Sequence, residues 1–123
     1  MNEVLARTAE PDALGDAQSL RIRVLYFDGC PNSEATFQLV RRIARSQRRG
    51  FVLERIEIPS REEADDFRFL GSPTVQINGV DIDPAARERT DFAMVCRLYG
   101  DSGVPTAEMI AAAIRETAQG ITP

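Results

Sequence analysis

From Arg21 the chain alternates polar and apolar residues and then turns continuously apolar: Arg21-Ile22-Arg23-Val24-Leu25-Tyr26-Phe27. That pattern predicts a strand that becomes central to a sheet. Beyond Gly29 and Cys30, Pro31 suits the first position of a helix. Phe37, Val40, Ile43 and Ala44 then recur at helical spacing, and Arg41, Arg42, Arg45, Arg48 and Arg49 take the remaining faces. Gly50 ends this helix, and Phe51 to Ile58 reads as a second strand. Pro59-Ser60 and the acidic residues Glu62, Glu63, Asp65 and Asp66 open a short second helix, with Ser60 and Glu63 at capping-box spacing. Phe67, Phe69 and Leu70 return it to the core.

Gly71-Ser72-Pro73 breaks the chain before a third strand, Thr74 to Ile77, and Asn78-Gly79 is a strong tight-turn signal. A polar loop runs from Val80 to about Asp91. Phe92 to Tyr99 reads as a fourth strand, and Met109, Ile110, Ala113 and Ile114 mark the apolar face of a last helix. Residues 1–19, rich in Ala, Asp and Glu and interrupted by Pro11 and Gly15, read as a flexible N-terminal tail ahead of one domain over 20–123. The order is βαβ, then α, then ββα. It predicts an α/β fold in which a four-stranded mixed sheet is flanked by helices, the first two strands being parallel with a right-handed crossover.

A chain of 123 residues, 43% apolar and 28% charged, has the makings of one core in a well-solvated domain. Its net charge of −4 speaks against nucleic acid or a membrane surface as a general partner. The arginines after Phe37 therefore read as a solvated helix face with cations near the helix C-terminus. All fifteen basic residues are arginine, so Schiff-base chemistry on lysine is excluded; the lack of histidine excludes Ser-His-Asp and Cys-His catalysis and histidine-bearing zinc sites. No signal-like start and no membrane-length apolar run is present, so the expected compartment is the cytoplasm.

The remaining chemistry is that of two cysteines. Cys30 follows a predicted buried strand and precedes a predicted helix, where unpaired N–H groups and the helix dipole favour thiolate, the reactive form. A cysteine pair in a cytoplasmic chain points to redox or metal chemistry rather than a structural staple.

The element order is that of the thioredoxin fold, and Phe69-Leu70-Gly71-Ser72-Pro73-Thr74 resembles the loop that carries a cis-proline in thioredoxin-like proteins. That resemblance implies that Pro73 is cis, stands beside Cys30 and shapes a substrate-facing edge. More specifically, Tyr26-Phe27-Asp28-Gly29-Cys30-Pro31-Asn32, Gly71-Ser72-Pro73-Thr74-Val75, Thr90-Asp91-Phe92 and Cys96-Arg97-Leu98-Tyr99 are similar to a "DF" family of small bacterial thioredoxin-like proteins, over Val24 to Ile114. Some members carry selenocysteine in the redox motif, and some relatives are labelled alkylmercury lyase-like. The resemblance implies a thiol–disulfide oxidoreductase, without a cofactor, acting on a protein or low-molecular-weight thiol or disulfide. Its substrate-facing residues would be Pro31, Ser72, Pro73 and Thr74.

This chain departs from thioredoxin where a second cysteine would stand: Ser33 closes a Cys-Pro-Asn-Ser motif. Ser33 cannot resolve a mixed disulfide on Cys30, though its hydroxyl and N–H can support a thiolate, while Asp28 opposes one if close. Cys96, on the predicted fourth strand, returns towards the same end. It is either the resolving thiol or a small buried hydrophobe. Arg97 would support the thiolate if it faced the site, but on the opposite face of that strand it is expected in solvent or in a surface pair. Asp91-Phe92 either covers the active end or anchors the strand. Two other functions remain open: a soft-metal or organomercurial thiolate-binding protein, and a non-catalytic thioredoxin-like binding module.

Overall fold

A computed structural model describes residues 7–11, 19–47 and 49–118. Its strands are β1 (Arg7–Pro11), β2 (Leu20–Tyr26), β3 (Phe51–Glu57), β4 (Thr74–Ile77) and β5 (Val80–Asp81). Its helices are α1 (Ser33–Ser46), α2 (Arg61–Asp66) and α3 (Ala107–Ala118), with a 3-10 turn at Pro84–Ala86. The sheet is mixed, in the order β1-β3-β2-β4-β5. β2 and β3 are parallel, from Leu20 opposite Phe51 to Tyr26 opposite Glu57, with α1 as the crossover. β4 runs antiparallel to β2, with Val24 opposite Val75.

The period-2 pattern divides the core between the two sheet faces. Leu20, Ile22 and Val24 of β2, Phe51 and Leu53 of β3, and Val75 and Ile77 of β4 pack with Phe37, Val40 and Ala44 of α1 and Ile110, Ala113 and Ile114 of α3. On the other face Leu25 and Ile56 pack with Ile58, Ala64 of α2 and Phe69. Ile22, Leu53 and Ile110 are wholly buried, each contributing about 2 kcal/mol of apolar transfer. The amphipathic spacing in the sequence is thus what sets α1 and α3 on one face and α2 on the other.

Three expectations about the strands are corrected. Arg7–Pro11, read as part of a loose tail, pairs antiparallel with the open edge of β3; the rest of that tail, residues 1–6 and 12–18, lies outside the described residues. Phe92 to Tyr99 is not a ladder strand. Its β-type pairing is limited to two single bridges, Ser72 to Cys96 and Tyr99 to Ser102. The fourth partner in the sheet order is instead β5, inside the expected polar loop. The hairpin turn at Asn78 and Gly79, with φ of 52° and 85°, delivers Val80 directly opposite Ile77.

Arg97 anchors the irregular segment. It is 3% exposed, not at the surface. Its guanidinium holds both carboxylate oxygens of Asp81 at 3.0 and 2.9 Å and donates to Thr74 Oγ1 at 3.2 Å. The group lies 4.4 Å from the Tyr99 ring centroid. One side chain therefore ties β4, β5 and the 92–99 segment together. Burial works against its charge, and the Asp81 hydrogen bonds outweigh that, so Arg97 holds its proton more tightly than usual. Among the described residues Arg97 Nε has no partner, which makes the Asp81 fork the principal compensation for the buried charge.

The helix ends also differ in detail from expectation. α1 starts at Ser33 with Asn32 as N-cap, so Pro31 and Cys30 lie ahead of it rather than in its first turn. The Ser60 hydroxyl bonds the Glu63 carboxylate, not the backbone N–H of a capping box. α2 closes with a Schellman pair: Phe69 N–H donates to Ala64 O at 2.8 Å and Arg68 N–H to Asp65 O at 3.2 Å. Arg68 occupies the left-handed position, φ 55°, where glycine is usual, at a backbone cost of about 1 kcal/mol. Among the described residues no helix is long and apolar enough to cross a membrane.

Removing one member of the buried pair leaves the other charged and desolvated. Asp81→Leu is expected to lower stability by about 3–5 kcal/mol in urea unfolding. Adding Arg97→Met to it recovers part of that loss. Gly71→Ala is also expected to destabilise: Gly71 has φ 120°, and an added Cβ would stand 2.8 Å from the Val95 carbonyl oxygen. The same unfolding assay should show a loss of about 1–3 kcal/mol.

Candidate functional site

Three chain segments meet around Ser72. The first is the turn between β2 and α1. Cys30 N–H donates to Phe27 O at 3.2 Å, with Gly29 at φ 88°. No atom lies within 4 Å of where a Gly29 Cβ would be, so glycine is needed here for its backbone angle and not for space. Ser33 Oγ donates to the Cys30 carbonyl at 3.2 Å. Its proton thus anchors the turn's backbone and is not directed to the thiol. The Asn32 side chain packs against Gly103, where an added Cβ would collide with the Asn32 amide.

The second segment is Gly71-Ser72-Pro73-Thr74, in which the Ser72–Pro73 peptide is cis. The third is Val95-Cys96-Arg97, fixed by Arg97. Ser72 is 1% exposed and joins all three. Its Oγ accepts the Phe27 N–H at 3.2 Å. Its N–H donates to Val95 O at 2.8 Å, and its carbonyl accepts the Arg97 N–H at 2.9 Å, a parallel bridge centred on Cys96.

This arrangement revises the residues expected to face substrate. Ser72, Pro73 and Thr74 are all buried. The Ser72 backbone, on the edge expected to face substrate, is already occupied by the chain's own Val95–Arg97. The Pro73 carbonyl accepts the Tyr99 hydroxyl at 2.8 Å, and Thr74 Oγ1 donates to Gly71 O at 2.6 Å. Only Pro31 of that set is exposed.

Both thiols are free, Cys30 half-buried and Cys96 exposed. Cys96 is therefore not the buried small hydrophobe that was one of its two readings. Its neighbours Val95 and Leu98 are exposed too, at 50% and 60%. Asp91 pairs with Arg89 at 2.7 Å, and Phe92 is half-buried with the Arg68 guanidinium 5.0 Å from its ring centroid. Among the described residues no group of three or more His, Cys, Asp or Glu is placed to hold a metal ion. The residue that the sequence misplaced is Arg97, expected in solvent or a surface pair but buried on Asp81; the signal for burial was a lone charge inside the apolar run from Phe92 to Tyr99.

The two tyrosines of the chain report on this region. Burial, with Glu57 nearby, raises the Tyr26 phenol. Burial raises Tyr99 far more, against the opposing pull of Arg97. The folded chain thus holds the Tyr99 proton more tightly than the unfolded chain, whose phenol titrates near the model-compound value of 10.0. The corresponding stability is complete below that pH and is lost as pH rises above it. Ultraviolet titration is expected to show no Tyr99 ionisation until the protein unfolds in alkali. Tyr99→Phe should flatten the alkaline fall in stability while costing about 1 kcal/mol near neutral pH, through loss of the bond to Pro73.

No family model, curated protein or solved structure matches this chain.

Proposed function

We propose that the protein is a thiol–disulfide oxidoreductase of thioredoxin type in which Cys30 attacks and Cys96 resolves. The observation that carries this reading is the double role of Ser72. Its hydroxyl binds the turn that bears Cys30, and its backbone pairs with Cys96 itself. Two free thiols, distant in sequence, are thereby tied to one residue.

In the reaction the Cys30 thiolate attacks one sulfur of a protein or low-molecular-weight disulfide and expels the other as a thiolate. The Cys96 thiolate then attacks the Cys30 sulfur and releases the second substrate thiol. Two electrons pass to the substrate, and a Cys30–Cys96 disulfide remains. An external thiol reverses that oxidation by the same exchange. Ser33 steadies the backbone of the Cys30 turn in this scheme, and Arg97 is a positioning residue for Cys96.

Mild oxidation of the intact protein with diamide, read by mass spectrometry, is expected to remove the mass of two hydrogens and to protect both cysteines from alkylation. In Cys96→Ser protein, glutathione disulfide should instead leave a mixed disulfide on Cys30. Both cysteines remaining alkylatable after oxidation would contradict the proposal and favour an inert binding module. Tight mercury binding without disulfide formation would favour the thiolate metal-binding role.

A further inference from the structure

A concave site lies beside β5, where a cavity of about 380 Å³ is lined by Arg68, Arg87, Arg89 and Phe92, with Leu70 and Val80 among its apolar walls. Its chemistry is the reverse of the chain as a whole. The net charge of the protein is −4, yet three guanidinium groups share this wall. The one carboxylate among the lining residues, Asp81, has both oxygens bonded to Arg97. Arg87 donates from Nε to the Asp81 carbonyl at 2.8 Å and pairs with Glu116 at 3.0 Å. Arg89 pairs with Asp91 on the exposed side. Arg68 makes no ion pair among the described residues, and its guanidinium lies over the Phe92 ring.

Arg68 also stands at the left-handed end of α2, a position that glycine fills with less strain. The helix stop does not require a long cationic side chain there. Strained backbone at a pocket wall is a recognised mark of a ligand site. Phe92, Leu70 and Val80 supply apolar surface next to the charge, and guanidinium forks match the planar or tetrahedral oxygens of carboxylate and phosphate.

From this we infer that the cavity binds a small organic oxyanion, an apolar, preferably aromatic, body bearing one carboxylate or phosphate, with Arg68 as its principal charge partner. The inference does not rest on the thiol chemistry, because no cysteine lines the cavity.

Calorimetric titration of the full chain with phenyl phosphate and with benzoate tests it, with inorganic phosphate and phenol as partial probes. Saturable one-to-one binding of at least one organic anion is expected, about tenfold tighter than inorganic phosphate, with none for phenol. Arg68→Gly is expected to weaken that binding about tenfold or more, the scale of one charge-assisted contact, while its urea midpoint stays the same or rises because strain is relieved. Phe92→Ala should weaken the organic anions and leave inorganic phosphate unchanged. Absence of saturable binding by both organic anions, or equal affinity in wild type and Arg68→Gly, would overturn the inference.

Discussion

A charged pair inside the fold, Arg97 with Asp81, governs the half of the molecule that carries Cys96 and the cis-proline loop. The pair is bidentate and nearly solvent-free, and Thr74 and the Tyr99 ring complete the surroundings of the guanidinium. Such a pair contributes little net stability relative to apolar residues of the same volume, but breaking it is costly. Its consequence here is positional. With Arg97 drawn inward, its backbone N–H meets the Ser72 carbonyl, and Cys96 is left exposed beside the cis-proline loop.

The constraint also explains which parts of the fold were legible in the sequence. The β2–α1–β3 unit, the three helices and the Asn78-Gly79 turn follow from local periodicity and turn chemistry, and the structure contains them. β5 is only two residues long, and its place depends on the turn rather than on a pattern of its own. β1 is held by backbone pairing to β3, and a run of Arg, Thr, Ala, Glu and Pro carries little apolar signal for that. Phe92 to Tyr99 reads as a strand because it is apolar. It forms an irregular strap with two isolated bridges instead, and the burial of its arginine is decided by a partner sixteen residues away.

The candidate site was legible to the same depth. Cys30, the break at Gly71-Ser72-Pro73 and the separate Cys96 stand out as residue types in a suggestive order. The occupation of the Ser72 backbone by the chain's own 95–97 segment is a tertiary fact with no local signature. It changes the chemical reading: the edge expected to face substrate holds an internal segment with a thiol at its centre. Cys30 itself is half-buried, next to the exposed Pro31, and Cys96 lies between the exposed Val95 and Leu98.

The most direct test of this account is the thiol–disulfide equilibrium between the protein and glutathione, measured for wild type and for Asp81→Asn. If the buried pair holds Cys96 in place for Cys30, the wild-type chain forms the intramolecular disulfide. The substitution then lowers the equilibrium constant by about tenfold or more, because effective concentration depends on held geometry. An equal constant in the two proteins, with both folded, would contradict it.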